Sequence, residues 1–298
     1  YFTAGDSESG EKALLEILEI NPLPGARLEV AAHLANRGCT ATAARLYLEA
    51  AKSAEQDDDV AGAVGCYQSY LELVPDALDI KVRFCELLWE AELRSLASKV
   101  TVETVAALPE EQKASVGGKL LEAASQRPPN DPELVRELLR QAIAIGQRQA
   151  AVKFYLLVAP AWLETNTDEL LLLTEQLLQI APEEESVLRN YAMLLQKLGK
   201  ANEAATTYSQ LATLCEGRND LRAALTYLSA ALECDPGNAS LVKRRADVLA
   251  TLDDPELARL AALDYIHILE EKGATSELLS EYETYLERWP TDQASREK

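Results

Sequence analysis

The chain has 298 residues, 48% of them hydrophobic, which is enough apolar material for a packed core and excludes a disordered acidic tail. Lys and Arg number 29 against 49 Asp and Glu, for a net charge of −20, and the deficit of base is spread along the whole chain. A nucleic-acid partner is therefore not expected, because phosphate binding needs clustered cations. No apolar run approaches the roughly 18 residues of a membrane span, so no membrane insertion is expected either.

The five cysteines, Cys39, Cys66, Cys85, Cys215 and Cys234, form no CxxC and have no histidine at metal-ligand spacing. Reduced thiols and a cytoplasmic setting are the expectation. The chain opens on Tyr1 rather than Met, and YFTAGDSESG reads as a polar lead-in over 1–10, as in a piece of a longer protein.

The organising feature is a proline ruler. Pro22, Pro75, Pro128, Pro182, Pro236 and Pro290 are 53 or 54 residues apart, most of them just after an apolar segment. The units so marked are 22–74, 75–127, 128–181, 182–235 and 236–289. Self-similarity at a fixed period marks a solenoid, in which each unit buries its apolar face against its neighbours. Before the first unit, EKALLEILEI over 11–20 carries one apolar helical stripe and matches the last helix of a unit. Unit one predicts helices near 25–37, 41–55 and 59–73. Gly38 ends the first, and Asp57, Asp58 and Asp59 cap the third.

Unit two is the irregular one. KVTVETVAAL is β-branched and a poor helix former, although register with the other units argues for helix. Gly117 and Gly118 fall where other units place Ala or Leu, which predicts close packing of two backbones there. In unit three Asn130 or Asp131 caps a helix that begins at Pro132. Gly146 answers Gly38, and Pro160 should end or kink the second helix. The segment DELLLLTEQLLQI is apolar nearly all round and predicts the most buried helix of the chain.

Unit four is the cleanest. Tyr208-x2-Leu211-Ala212-x2-Cys215, then Ala224-x3-Leu228-x2-Ala231 and Pro236, resembles the tetratricopeptide repeat signature. A second frame fits too, through Leu188, Tyr191, Ala192, Leu195, Gly199, Ala204 and Tyr208. Unit five echoes unit four, with Ala246 for Ala192 and Leu279 for Leu225, and a tail follows over 291–298. The resemblance implies an all-α, right-handed α-solenoid over 11–290 built from antiparallel helices. Three helices per unit of about 54 residues is an odd number. Inner and outer layers should then exchange from one unit to the next.

No arrangement of residues suggests chemistry. His33 and His267 are isolated inside helical patterns, and no phosphate-loop, dinucleotide or nucleophile-elbow motif occurs. The reading is no enzyme, no catalytic residue, no cofactor and no metal. Two charged features could serve a partner. One is a basic ladder on first helices: Lys81 and Arg83, Arg136, Arg189, then Lys243 and Arg244. The other is the acidic cluster of the last unit, with Glu277 and Glu281 at helical spacing. In tetratricopeptide proteins inner helices line a groove for a peptide or partner helix, so the resemblance implies an interaction scaffold that binds a peptide or folded partner on a curved face. The alternative is a sensor segment that binds a switch protein such as a small GTPase, or a small ligand; a deep apolar pocket near Gly117–Gly118 would favour it. The sequence does not specify an oligomeric state.

Overall fold

A computed structural model describes residues 7–20, 23–252 and 254–290. Among these residues every regular element is helical. The helices are α1 (Ser7–Ile20), α2 (Pro24–Asn36), α3 (Thr40–Gln56), α4 (Val60–Leu73), α5 (Leu78–Glu90) and α6 (Arg94–Ala107). A composite α7 follows, made of Glu110–Gln112, a π-helical turn Lys113–Gly117, and Gly118–Gln126. Then come α8 (Pro132–Ala144), α9 (Arg148–Thr165), α10 (Thr167–Ile180), α11 (Glu185–Lys197), α12 (Ala201–Gly217), α13 (Leu221–Cys234), α14 (Ala239–Thr251), α15 (Pro255–Lys272) and α16 (Thr275–Arg288). This is an all-α helical-repeat fold. The unit boundary expected at Pro22 and the tail expected over 291–298 lie outside the described residues. Helix α1 begins at Ser7, inside the stretch expected as a polar lead-in.

The period is visible in the turns. The link from first to second helix passes through a left-handed residue at Gly38 (φ 82°), Glu92 (φ 58°), Gly146 (φ 72°) and Gly199 (φ 74°). Only Glu92 is not glycine, so unit two accepts a strained side chain to keep the turn. The link from second to third helix is left-handed at Asp58, Asn219 and Gly273. Units two and three break this second turn: Leu108 has φ −61° and Asn166 has φ −138°. The proline turns themselves are short, with Pro75–Asp76, Pro182–Glu183 and Pro236–Gly237 each joining one unit to the next.

The chain divides into two compact units, Tyr1–Val158 and Ala159–Lys298. Within each, alternate helices share a layer. In the first, Arg83 of α5 reaches Glu55 of α3 and Arg127 at the end of α7 reaches the Trp89 carbonyl of α5. In the second, Tyr227 of α13 donates to Glu185 of α11, while Arg244 of α14 reaches back to Glu216 of α12. First helices α11 and α14 thus lie in opposite layers of this unit, as an odd helix count requires.

Small residues set the helix spacing in the core. Ala192, Ala212, Ala224 and Ala231 are fully buried beside Leu211, Leu228 and Tyr208, so neighbouring helices approach closely with large side chains filling between turns. The caps follow the sequence: Asp59 accepts from the Gly62 amide at 2.9 Å and Asp131 from the Glu133 amide at 3.0 Å. The β-branched segment is helical, as α6. Its threonines are buried donors and acceptors, with Trp89 Nε1 donating to Thr101 Oγ1 at 3.1 Å and Cys85 Sγ 3.4 Å from Thr104 Oγ1.

Three expectations change. Of the end or kink expected at Pro160, the end does not occur, because α9 continues to Thr165. Pro160 is exposed while Val158, Ala159 and Trp162 are buried, so the flanking contacts hold the helix across the missing amide donor. Helix α10 is not the most buried. It buries Leu170, Leu173, Thr174 and Leu177 only, and Leu172 is 55% exposed; α12 buries seven residues. A helix in a two-layer stack is covered on one side, so an apolar circumference leaves leucines outside. At Gly117–Gly118 the close neighbour is a side chain and not a backbone. A Cβ on Gly118 would lie 2.2 Å from Gln147 Nε2, which donates to the Ala114 carbonyl inside the π-turn at 3.1 Å.

Candidate functional site: an apolar groove and two internal clamps

The charged residues singled out by sequence divide into engaged and open ones. Arg83 Nη2 is 2.9 Å from Glu55 Oε2, and its Nη1 is 3.0 Å from Glu86. Tyr67 completes this clamp by donating to Glu55 at 2.6 Å. The Arg83 hydrogen bond holds the Glu55 carboxyl below its usual range, and burial together with Glu55 pushes the Tyr67 phenol up. Arg244 repeats the arrangement in the second unit. It grips Glu216 with both Nε and Nη2 at 2.9 Å, while Nη1 donates to the Ser209 carbonyl at 3.3 Å and Nη2 to Thr213 Oγ1 at 2.7 Å. Bidentate pairs of this kind fix geometry as well as charge. Both arginines stand 28 residues after their glutamate. That spacing was the sequence signal for the clamps, and it escaped a reading focused on cations alone.

Lys243 and Glu281 are brought together, with Nζ 3.4 Å from Oε2 and 5.3 Å from the Tyr265 ring centroid. Glu277 is exposed one turn before Glu281 on α16. Arg136 pairs with Glu133 inside its own helix α8. Arg189 is exposed on α11, and Lys81 is half-buried on α5. The ladder is therefore not one continuous stripe of solvated cations.

An apolar feature lies outside those residues. Between α10 and α12, in the second unit, a groove of about 440 Å³ is lined by Leu178, Pro182, Leu188 and Leu214, with Glu183, Gln210 and Thr213 at its polar edge. Leu178 of α10 and Leu214 of α12 are half-buried and Leu188 of α11 is buried, all three packed in the core of this unit with one side turned to the groove. Grooves of this size, largely apolar with a few polar groups, suit the side chains of a binding partner.

Among the described residues no cluster of His, Cys, Asp and Glu is arranged to hold a metal ion, and no helix is long and apolar enough to cross a membrane. The five cysteines are free thiols. Of the Asp57–Asp59 run, Asp59 caps α4, while Asp57 ends α3 and Asp58 takes the left-handed turn between them.

No family model and no curated protein matches the chain. Among solved structures it is similar to the TPR2AB domain of yeast Sti1 in its pHSP90 complex, at 13% identity over 82% of this chain and 98% of that one, with a TM-score of 0.30. It is also similar to the P58(IPK) TPR domain (13% identity, 92% of this chain and 95% of that one, TM-score 0.23). A third is residues 41-end of MamA from Desulfovibrio magneticus RS-1 (13% identity, 78% and 96%, TM-score 0.22). With superposition this loose, the repeat architecture rests on this chain's own helices and turns.

Proposed function

We propose that residues 11–290 act as a non-enzymatic protein–protein interaction scaffold, working in the cytoplasm and binding a peptide or folded partner. One observation carries the reading: the largely apolar groove of about 440 Å³ between α10 and α12, where half-buried Leu178 and Leu214 border buried Leu188. The partner would seat an apolar side chain against Leu178, Leu188 and Leu214. Arg83 and Arg244 contribute by holding alternate helices in register, whereas Arg189 and Glu277, both exposed, are available to a partner's polar rim. Five free thiols support a reducing compartment.

The sensor alternative gains no support. The open space of about 540 Å³ beside Gly118 is bordered by Glu86, Glu90, Lys119 and Arg127 as well as Trp89 and Leu120, so it is not the deep apolar pocket that reading would need. Capture from native lysate with the wild-type chain and with Gln210→Arg tests the proposal. Gln210 is exposed at the groove edge, so the substitution should leave folding within about 0.5 kcal/mol. Partners retained by the wild type should be lost from Gln210→Arg. An identical set captured by both chains would reject the groove as the binding site.

A further inference from the structure

The groove between α10 and α12 has a copy one repeat further on. Leu178, Pro182, Leu188 and Leu214 line the first. Leu232, Pro236, Val242 and Ile268, each 54 residues later, line a second cavity of about 470 Å³ between α13 and α15. Leu232 and Val242 are buried and Ile268 is half-buried, so the copy keeps the apolar floor. The odd helix count turns it to the other side of this unit. The first groove has walls from α10 and α12 over α11, and the second has walls from α13 and α15 over α14. Because α11 shares a layer with α13, and α12 with α14, the two grooves open through opposite layers.

The floor is repeated but the walls are not. Where α10 and α12 carry Gln179 and Gln210, α13 and α15 carry Glu233 and Asp264, one carboxylate on each wall, while Glu183 at the first groove's edge gives way to Gly237. Both carboxylates are exposed, and Glu233 makes no ion pair among the described residues. The arginine of the lining lies deeper: Arg245 is 27% exposed against 61% for Asp264, to which it pairs at 2.9 Å. His267, in place of Thr213, stands 3.7 and 3.5 Å from Glu270 and Glu271, and Lys272 is held by the Gly237 carbonyl at 2.7 Å. An approaching group therefore meets carboxylate on both walls and hydrocarbon between them. Lys and Arg side chains match that order, since the apolar stem lies along buried surface while the charged head stays at the wet rim. We propose that the α13–α15 groove is a second binding site, for a segment of another protein that lays a Lys or Arg side chain across Leu232, Val242 and Ile268 with its charge between Glu233 and Asp264. The chain then takes two occupants of different chemistry on opposite sides of one unit. The second site does not depend on the use of the first.

The test selects random peptides displayed on phage against the full chain, after depletion on Ser229→Arg. Ser229 and Glu233 are exposed on the α13 wall, so their substitution should leave the fold intact. Enriched peptides should carry Lys or Arg beside an apolar residue. A labelled peptide from that set should lose affinity by about threefold in Glu233→Gln, as for a solvent-accessible ion pair. In Ser229→Arg, which sets a like charge on the wall, the loss should be about tenfold or more. Glu122→Gln removes an equal charge from exposed surface of the other compact unit and should leave binding unchanged, as should Gln210→Arg in the first groove. Equal losses in Glu233→Gln and Glu122→Gln would overturn the proposal in favour of diffuse attraction to an acidic chain. Loss in Gln210→Arg with none in Ser229→Arg would overturn it by moving the peptide to the first groove. So would enriched peptides with no excess of Lys or Arg over the library, or none retained by the wild type in preference to Ser229→Arg.

Discussion

Replacing Arg244 by Met separates a structural arginine from a recognition arginine. Arg244 makes two charge-assisted bonds to Glu216 and further bonds to Ser209 and Thr213, and its side chain is 26% exposed against 28% for Glu216. Hydrogen bonds to charged groups contribute about 1.5–3 kcal/mol each when desolvated, but a quarter-exposed pair is partly screened. A loss of roughly 2 kcal/mol is reasonable for Arg244→Met, since it also leaves the Glu216 carboxylate without its cation. Over the 298 residues, at about 2.1 cal/mol/K of unfolding entropy per residue, that lowers Tm by about 3 °C. Arg189→Met, at an exposed site on α11, should stay within about 0.5 kcal/mol. Thermal unfolding followed by circular dichroism on both variants gives the comparison. Adding Glu216→Gln and the double variant closes a cycle, in which the two substitutions should be strongly non-additive. Equal shifts for Arg244→Met and Arg189→Met, or additivity in the cycle, would refute the clamp. The practical consequence is that lost binding in an Arg244 charge reversal would report unfolding and not contact.

Further outcomes follow from the same geometry. Glu55→Gln should destabilise by about 1 kcal/mol near pH 7, and urea unfolding should show the difference from wild type vanishing in acid. The sign is fixed by the lowered carboxyl: its stabilisation is present above the ordinary Glu range and is lost as pH falls through the folded value. Gly118→Ala should give no net stabilisation. The helix-propensity gain of about 1 kcal/mol is offset because Gln147 must leave the Ala114 carbonyl; a clear rise in Tm would show that Gln147 relocates without loss. Among internal segments, amide exchange should be fastest around the Lys113–Gly117 π-turn, and uniform protection from α5 to α13 would contradict this. Cys85, with its thiol pushed up to about 11 by burial, should resist alkylation at pH 8 until the chain unfolds. Rapid labelling in the native state would be inconsistent with its packing.

What the sequence made legible was everything encoded locally or by repetition. Gly38, Gly146 and Gly199 announce left-handed turns, Asp59 and Asp131 announce caps, and the alanines of α11 to α13 announce close helix contacts. Features fixed by distant partners were not legible. Glu92 takes the left-handed turn without being glycine, because the helices on both sides hold it there. The π-turn is supported by Gln147 from the following unit, and Pro160 is carried through α9 by buried neighbours. The groove was hidden by its own signal. A nearly all-apolar α10 reads as maximal burial, yet the stack covers only one side of it, leaving Leu172 exposed and Leu178 half-buried at the groove. Within the charged ladder, Arg83 and Arg244 have carboxylate partners too far back in sequence to be seen on the same helix.

Amide hydrogen exchange on the chain with and without a captured partner tests the central claim most directly. The groove account predicts slowed exchange in α10 and in the Gln210–Leu214 stretch of α12, with little change in α3 to α5. Protection confined to helices away from α10 and α12, with those two unaltered, would contradict it.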